Sequence, residues 1–308
     1  MAEISAARVK QLREQTGAGM MDCKTALAET DGDLEAATDW LRKKGLAAAA
    51  KRAGRVAAEG LVAVRVEGRS GALIEVNSET DFVARNDDFQ KLVGAIADLA
   101  PAARGDLDRL LAARMPASGR SVADEITRSI AIIGENINLR RSAAIEVDEG
   151  AVGTYVHAAL APGLGKIGVL VGLRSAGDPE QLAALGKQLA MHVAAARPQA
   201  VSIDRLDSAL VRRERAIYAE QARATGKPES IIDKIVDGRM RKYYEEAVLL
   251  EQVFVVDPDL KVKDAVDRVA EKIGSSITVT GFARFALGEG VGGPESDSAD
   301  GAAPPAGV

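Results

Sequence analysis

Two stretches of this sequence follow one grammar, and that repetition constrains the fold more than any single residue does. GALIEVN (71–77) is an apolar run followed by a polar loop, a helix-patterned DFQKLVGAIADLA (88–100) and Pro101. KIGVLVGL (166–173) is a second apolar run, followed by SAGDPE, then EQLAALGKQLAMHVAAA (180–196), with Pro198 soon after. Short apolar runs bounded by turn residues read as buried strands. The spacing of Phe89, Leu92, Val93, Ile96 and Leu99 reads as one buried face of a helix. Strand, loop, helix and proline in the same order point to an internal duplication. We expect two related α/β subdomains side by side, spanning 61–145 and 146–290.

Ahead of the first repeat lies a small helical unit, 1–45. Ser5 can cap a helix carrying Val9 and Leu12, and a second helix follows from Met20 to Ala28. Asp33 can cap a third, with Leu34, Ala37, Trp40 and Leu41 at helical spacing and Gly45 placed to stop it. Three helices in so short a span make a small core, for which Trp40 is the natural anchor. Residues 46–60 are Ala-rich and read as a helical or semi-flexible connector. Leu61–Val66 and Ala72–Val76 then read as a hairpin. Asp87, with Gln90 three residues on, reads as the cap of the next helix.

Within the second half, residues 204–246 carry two charged helical patterns around Gly226-Lys227-Pro228, each with a narrow apolar seam. That suits a projecting antiparallel helical hairpin. VFVVDPD, a capped helix and the strand ITVTGFARFAL make a C-terminal module, and the Gly-, Pro- and Ser-rich 291–308 is expected to be a disordered tail. The fold class is α+β and multi-domain.

A net charge of -5 and a pI near 5.4 argue against a protein that coats nucleic acid. Arg42, Lys43, Lys44, Lys51, Arg52 and Arg55 form a local basic run, which is either a solvated face or a nucleic-acid contact. The single cysteine, Cys23, allows no internal disulfide and fits a reducing cytoplasm. The N-terminus lacks a signal-peptide core, and no run approaches the roughly 20 apolar residues that span a bilayer.

Catalytic motifs are wanting. His157 and His192 have no metal-ligand spacing to each other or to Cys23. APGLGKIG fails as a phosphate loop, with Leu160 where the first glycine belongs and Ile167 in place of Ser/Thr. No nucleophile elbow, dinucleotide fingerprint or paired carboxylates stand out, so we expect neither a cofactor nor catalytic chemistry. The profile is that of an interaction protein.

One loop, NSETDFVARND (77–87), poses a question. Phe82 sits among polar residues and either staples onto the start of the following helix or touches something outside the chain. Met20 and Met21 pose the same choice, because adjacent helical residues cannot both face one core.

VKQLREQTGAGMMDCKTAL, EVNSETDFVARNDDF, IGENINLRR, GKPESIIDKIVDGRM and VTGFARF, in that order, resemble bacterial elongation factor Ts. The resemblance runs from about residue 4 to 290, the first two motifs being the most specific. ALAPGLGKIG is longer than that family's usual link, and the tail is not a family feature. The resemblance implies a ubiquitin-associated-like N-terminal domain and a guanine-nucleotide exchange factor. Its partner would be elongation factor Tu, GDP-bound and nucleotide-free, with no membrane or direct nucleic-acid partner. By family match, Thr80, Asp81, Phe82 and Val83 would dislocate the partner's magnesium. Arg13, Met20, Met21, Ile133, Gly134, His157, Val255 and Val256 would bind the partner. Ile133, Val255 and Val256 could equally be core, and Gly134 a plain turn. The rival reading is a nucleic-acid or ribosome-associated adaptor using 42–55.

Overall fold

The computed structural model describes residues 4–226 and 228–291. It opens with three helices, α1 (Ala6–Thr16), α2 (Met20–Glu29) and α3 (Leu34–Arg52). The Ser5 side chain accepts from the Arg8 amide, and Asp33 accepts from those of Glu35 and Ala36, as their positions before apolar helical runs require. Leu12, Cys23, Ala26, Leu27 and Ala37 fill the centre of the unit. Trp40 does not anchor it: the indole is half-buried at the rim, with the Lys44 ammonium 5.2 Å from the ring centroid.

Nor does Gly45 end its helix. α3 runs on to Arg52, so the first half of the expected connector is regular helix. Gly45 faces a neighbouring helix, where an added Cβ would lie 3.4 Å from the Cβ of Ala131. A glycine allowing two helices to approach looks in sequence like a glycine ending one.

The chain then makes β1 (Glu59–Glu67), β2 (Ser70–Ser78), a single turn α4 (Asp81–Ala84), α5 (Asp87–Ala103), α6 (Leu107–Ala112), α7 (Val122–Ile133) and β3 (Asn138–Glu146). The second half has β4 (Ala151–His157), a two-residue β5 (Leu164–Gly165), β6 (Ile167–Arg174) and α8 (Pro179–Ala196). It continues with α9 (Ser208–Arg223), α10 (Glu229–Ala247), α11 (Val262–Ile273) and β7 (Thr278–Ala286). Two antiparallel sheets result, ordered β3-β2-β1-β5 and β4-β6-β7.

Alternation along β1 explains its unbroken apolar run. Leu61 and Ala63 face α5 in a core with Ile74, Phe89, Val93 and Ile96. Val62 and Val64 face the other way and meet Leu73, Leu170 and Phe285 between the sheets. The second sheet repeats the arrangement, with Val169, Val171 and Leu173 under Leu185, Leu189 and Val193 of α8. The central strands β1, β2 and β6 are buried on both faces over most of their length, hence their missing polar alternation.

The sheets approach closely because glycine stands at two facing positions. A Cβ on Gly71 would lie 2.7 Å from a Val152 methyl and 3.1 Å from Leu170. One on Gly168 would lie 2.5 Å from Leu73 and 2.7 Å from Val62. The pairing is reciprocal: Gly71 faces Leu170, and Gly168 faces Leu73. The sequence offset that takes Gly71 to Gly168 also takes Leu73 to Leu170. It takes the register shift at Glu75/Val76 to the one at Gly172/Leu173 as well.

At one edge a buried ion cluster joins the sheets. Glu75 is fully buried on β2, where it pairs with Arg140 and Arg141 of β3 and accepts from the Gly288 amide at 2.9 Å. Arg141 also donates to the Ala286 carbonyl of β7, also at 2.9 Å.

Two smaller expectations are corrected. Asn86, not Asp87, caps α5, its Oδ1 accepting from Asp88 and Phe89. Pro101 lies inside the last turn of α5 instead of ending it. α9 and α10 pack through Ala222, Ile232, Val236 and Met240, the narrow seam expected of a helical hairpin. Lys227 at its turn lies outside the described residues, as does the expected disordered tail beyond Val291. Among the described residues no helix is long and apolar enough to cross a membrane.

Candidate functional site

The loop carrying Phe82 is a built structure, and the side chain points away from it. Phe82 is 81% exposed, whereas its neighbour Val83 is 7% exposed and joins Phe89 in the core under the first sheet. The staple onto α5 is therefore absent. The single turn of α4 forces this division, since consecutive helical residues project about 100° apart. Burying Val83 and Ala84 drives Phe82 outward.

Both ends of the turn are fastened. Downstream, the Asn86 amide donates to the Val83 carbonyl at 2.9 Å, and the Gln90 side chain donates to the Ala84 carbonyl at 3.2 Å. Upstream, the anchor comes from the link between α7 and β3. Glu135 accepts from the amides of Glu79 (3.1 Å) and Thr80 (3.0 Å) through one oxygen, and from the Thr80 hydroxyl (2.6 Å) through the other. Glu79 returns the contact, accepting from the Asn136 amide at 2.6 Å. The Asn136 side chain in turn donates to the Arg55 carbonyl at 2.8 Å, and Arg55 pairs with Glu79. Asp81 forms a surface ion pair with Arg85 at 3.2 Å.

The same contact brings Ile133 and Gly134 beside the Phe82 loop. Ile133 is half-buried against the core, while the adjacent Ile132 is 46% exposed. Gly134 ends α7 in the left-handed conformation, and its carbonyl accepts from Arg52 of α3 at 2.8 Å. α7 also receives the N-terminal helices: Arg128 donates to the Thr16 carbonyl at 2.7 Å, and Arg42 pairs with Asp124. On that helical unit Arg13 is exposed, and Met20 and Met21 are both exposed, at 60% and 71%. The small core is closed by Cys23, Ala26 and Leu27 one turn further on, leaving both methionines free.

The remaining positions lie on other elements. His157 is exposed at the end of β4, where its Nδ1 lies 3.1 Å from the Tyr155 hydroxyl. Val255 and Val256 are exposed on the stretch before α11, so neither is core. His192 of α8 holds that stretch. Its Nδ1 accepts from the Val255 amide at 3.2 Å, which leaves Nε2 to carry the proton and donate to Gln252 Oε1 at 2.8 Å. Burial pushes the imidazole below its ordinary range, against an opposing contribution from Gln252.

The basic run has largely been spent within the chain. Lys44 pairs with Asp22 at 2.7 Å, and Arg42, Arg52 and Arg55 have the partners just described. Among the described residues no group of three or more His, Cys, Asp or Glu side chains is placed to hold a metal ion.

Sequence reasoning missed Glu79 and Glu135. Their contacts join segments more than 50 residues apart, and neither acid stands out locally from the many others.

A family model described as elongation factor TS matches residues 79–289. The chain is 58% identical over 299 residues to an elongation factor Ts of Rhodospirillum centenum, with 97% of each chain covered. It is 58% identical over 300 residues to one of Rhodospirillum rubrum and 57% identical over 299 to one of Rhizobium leguminosarum, at the same coverage.

Proposed function

The chain belongs to the elongation factor Ts family, and on that premise we propose that it promotes guanine-nucleotide exchange on elongation factor Tu during translation elongation, in the cytoplasm. In this reading it binds the GDP-bound GTPase, inserts the Thr80–Val83 loop near the partner's magnesium and phosphates, and leaves when GTP binds. It makes and breaks no covalent bond of its own. The observation that carries the reading is Phe82: a large apolar side chain, 81% exposed, on a turn fastened at both ends.

The energetics are consistent. Magnesium tolerates little departure from octahedral geometry at about 2.1 Å, so small displacements of its surroundings weaken it strongly. Burying one phenylalanine contributes roughly 1.5–3 kcal/mol, at about tenfold per 1.4 kcal/mol. A larger acceleration must draw on a wider interface. Arg13, Met20, Met21, Ile133, Gly134, His157, Val255 and Val256 would supply it, three of them apolar side chains more than half exposed. Asp81 would either bring negative charge toward the phosphates or restrain the loop through Arg85. Linkage requires that a factor weakening GDP binding is itself weakened by GDP to the same degree.

The finer architecture belongs to the same proposal: a ubiquitin-associated-like N-terminal domain, and a core of two subdomains related by duplication. The duplication is supported by the common path of hairpin, helix and third strand, and by the shared offset of Gly71/Gly168 and the two register shifts. Substoichiometric protein should accelerate release of a fluorescent GDP from elongation factor Tu in the presence of magnesium. Unchanged release would refute the exchange reading.

A further inference from the structure

We propose that Glu135 is a positioning residue for exchange, holding the Phe82 turn in its projecting geometry before any partner arrives. This rests on the exchange reading. Downstream of Phe82 the chain is fixed by burial of Val83 and Ala84 and by the Asn86 cap. Upstream, β2 ends at Ser78, and the two amides that follow, of Glu79 and Thr80, both donate to Glu135. The Thr80 hydroxyl adds a third bond to the same carboxylate. Remove that carboxylate and those three donors turn to water, leaving the upstream end held only by the Ser78 hydroxyl on the Thr80 carbonyl at 3.0 Å and by Glu79 on the Asn136 amide.

A wedge that must displace a partner's ligands gains from being rigid beforehand, because any ordering cost is subtracted from the energy of insertion. Misplacement by about 1 Å can cost on the order of a hundredfold in a reaction that depends on geometry. Glu79 strengthens the arrangement by closing it from the other side, onto the Asn136 amide. The two acids thus cross-link the end of β2 to the start of the β3 segment in both directions. Glu135 comes no nearer to the partner in this scheme; it acts through Phe82.

Reach and charge can be separated at this position. Glu135→Gln keeps the length, its oxygen able to accept from both amides while its NH2 donates to the Thr80 hydroxyl, which can turn to accept. Glu135→Asp keeps the charge but withdraws it by one methylene, beyond reach of all three donors together. GDP release from elongation factor Tu, followed against factor concentration, should show E135Q within about threefold of wild type. E135D and E135A should lose about tenfold in maximal rate, with a smaller change in half-saturation. In the Phe82→Ala background the Asp and Ala changes should cost less than about twofold, since the side chain they position is gone.

Amide exchange of Glu79 and Thr80, measured by NMR in the free proteins, should accelerate at least about tenfold in E135D and stay near wild type in E135Q. A loss in E135Q with E135D near wild type would assign the residue a role through charge and overturn the proposal. So would a full additive loss in the Phe82→Ala background, or unchanged amide exchange in E135D. Failure of the wild-type protein to accelerate release would refute the exchange reading and, with it, any role in exchange. The amide measurement would then report on the clamp alone.

Discussion

Phe82 and Val83 are neighbours in sequence with opposite expected phenotypes. Phe82 is 81% exposed, so Phe82→Ala removes almost no buried surface from the free protein, and its unfolding midpoint in urea should move by less than about 0.5 kcal/mol equivalent. Val83 is 7% exposed within the core that contains Phe89. Val83→Ala deletes two methyl-sized groups there, at about 0.8 kcal/mol each plus a cavity contribution, or roughly 1.5–3 kcal/mol in all. For GDP release from elongation factor Tu the order reverses. On the proposed exchange reading, in which the ring is buried only in the complex, its loss should slow release by between about tenfold and about a hundredfold. Val83→Ala, assayed well below its melting temperature, should lose less. Parallel urea titrations and stopped-flow release of labelled GDP give both axes for both variants. A Phe82→Ala protein destabilised as much as Val83→Ala would put the ring in the core. Normal stability with unchanged release would remove the wedge.

Three further outcomes follow from the packing. Gly168→Ala should destabilise by about 1–3 kcal/mol through overpacking against Leu73 and Val62; Gly71→Ala should cost less, its nearest neighbours lying slightly further off, and equal urea midpoints for both variants and wild type would contradict the close approach of the sheets. His192 is held below the ordinary imidazole range, so between the two values the unfolded chain binds the extra proton; its contribution is complete above about pH 6.5 and declines as the pH falls below it. Unfolding midpoints should therefore drop from pH 7.5 to 5.5 with a slope reduced in His192→Leu, and the Val255 amide should lose protection, its exchange rate taken relative to the intrinsic rate at each pH, at the acid end; an identical slope in the variant would refute this. Arg128→Ala should free the Thr16 carbonyl and speed proteolysis within 53–58, where the chain leaves α3, while leaving the far end of the molecule, α11 and β7, protected.

Local chemistry was legible in the sequence wherever it was decided locally. Ser5 and Asp33 cap helices because each precedes an apolar helical run, and the α9–α10 pair was visible in its narrow seam. Misreadings arose where a distant segment decided the outcome. Gly45 looks like a stop but is a crossing point with Ala131, and Trp40, the largest residue of its unit, sits at the rim beneath Lys44. Asn86 and Asp87 are both good caps, and only the entry of the chain from α4 selects the first. The strands β3 and β4 were not picked out, because half-buried residues such as Arg140, Arg141 and Thr154 dilute their apolar pattern. Phe82 was conspicuous for being out of place among polar neighbours. Glu135, one acid among many, could be recognised only once β2 and the α7–β3 link stood side by side.

The facing glycines have a consequence beyond close packing. Gly71 against Leu170 and Gly168 against Leu73 is the contact pattern of an isologous interface, in which each surface is its own complement. A chain carrying one copy of the hairpin, helix and third strand would display half of that interface and would meet its counterpart on a second identical chain. On the duplication proposed above, the linker between β3 and β4 would do the work of a subunit association, turning a concentration-dependent dimer into an intramolecular encounter. Severed there, the two halves should still seek each other, and each, left alone, should pair with itself.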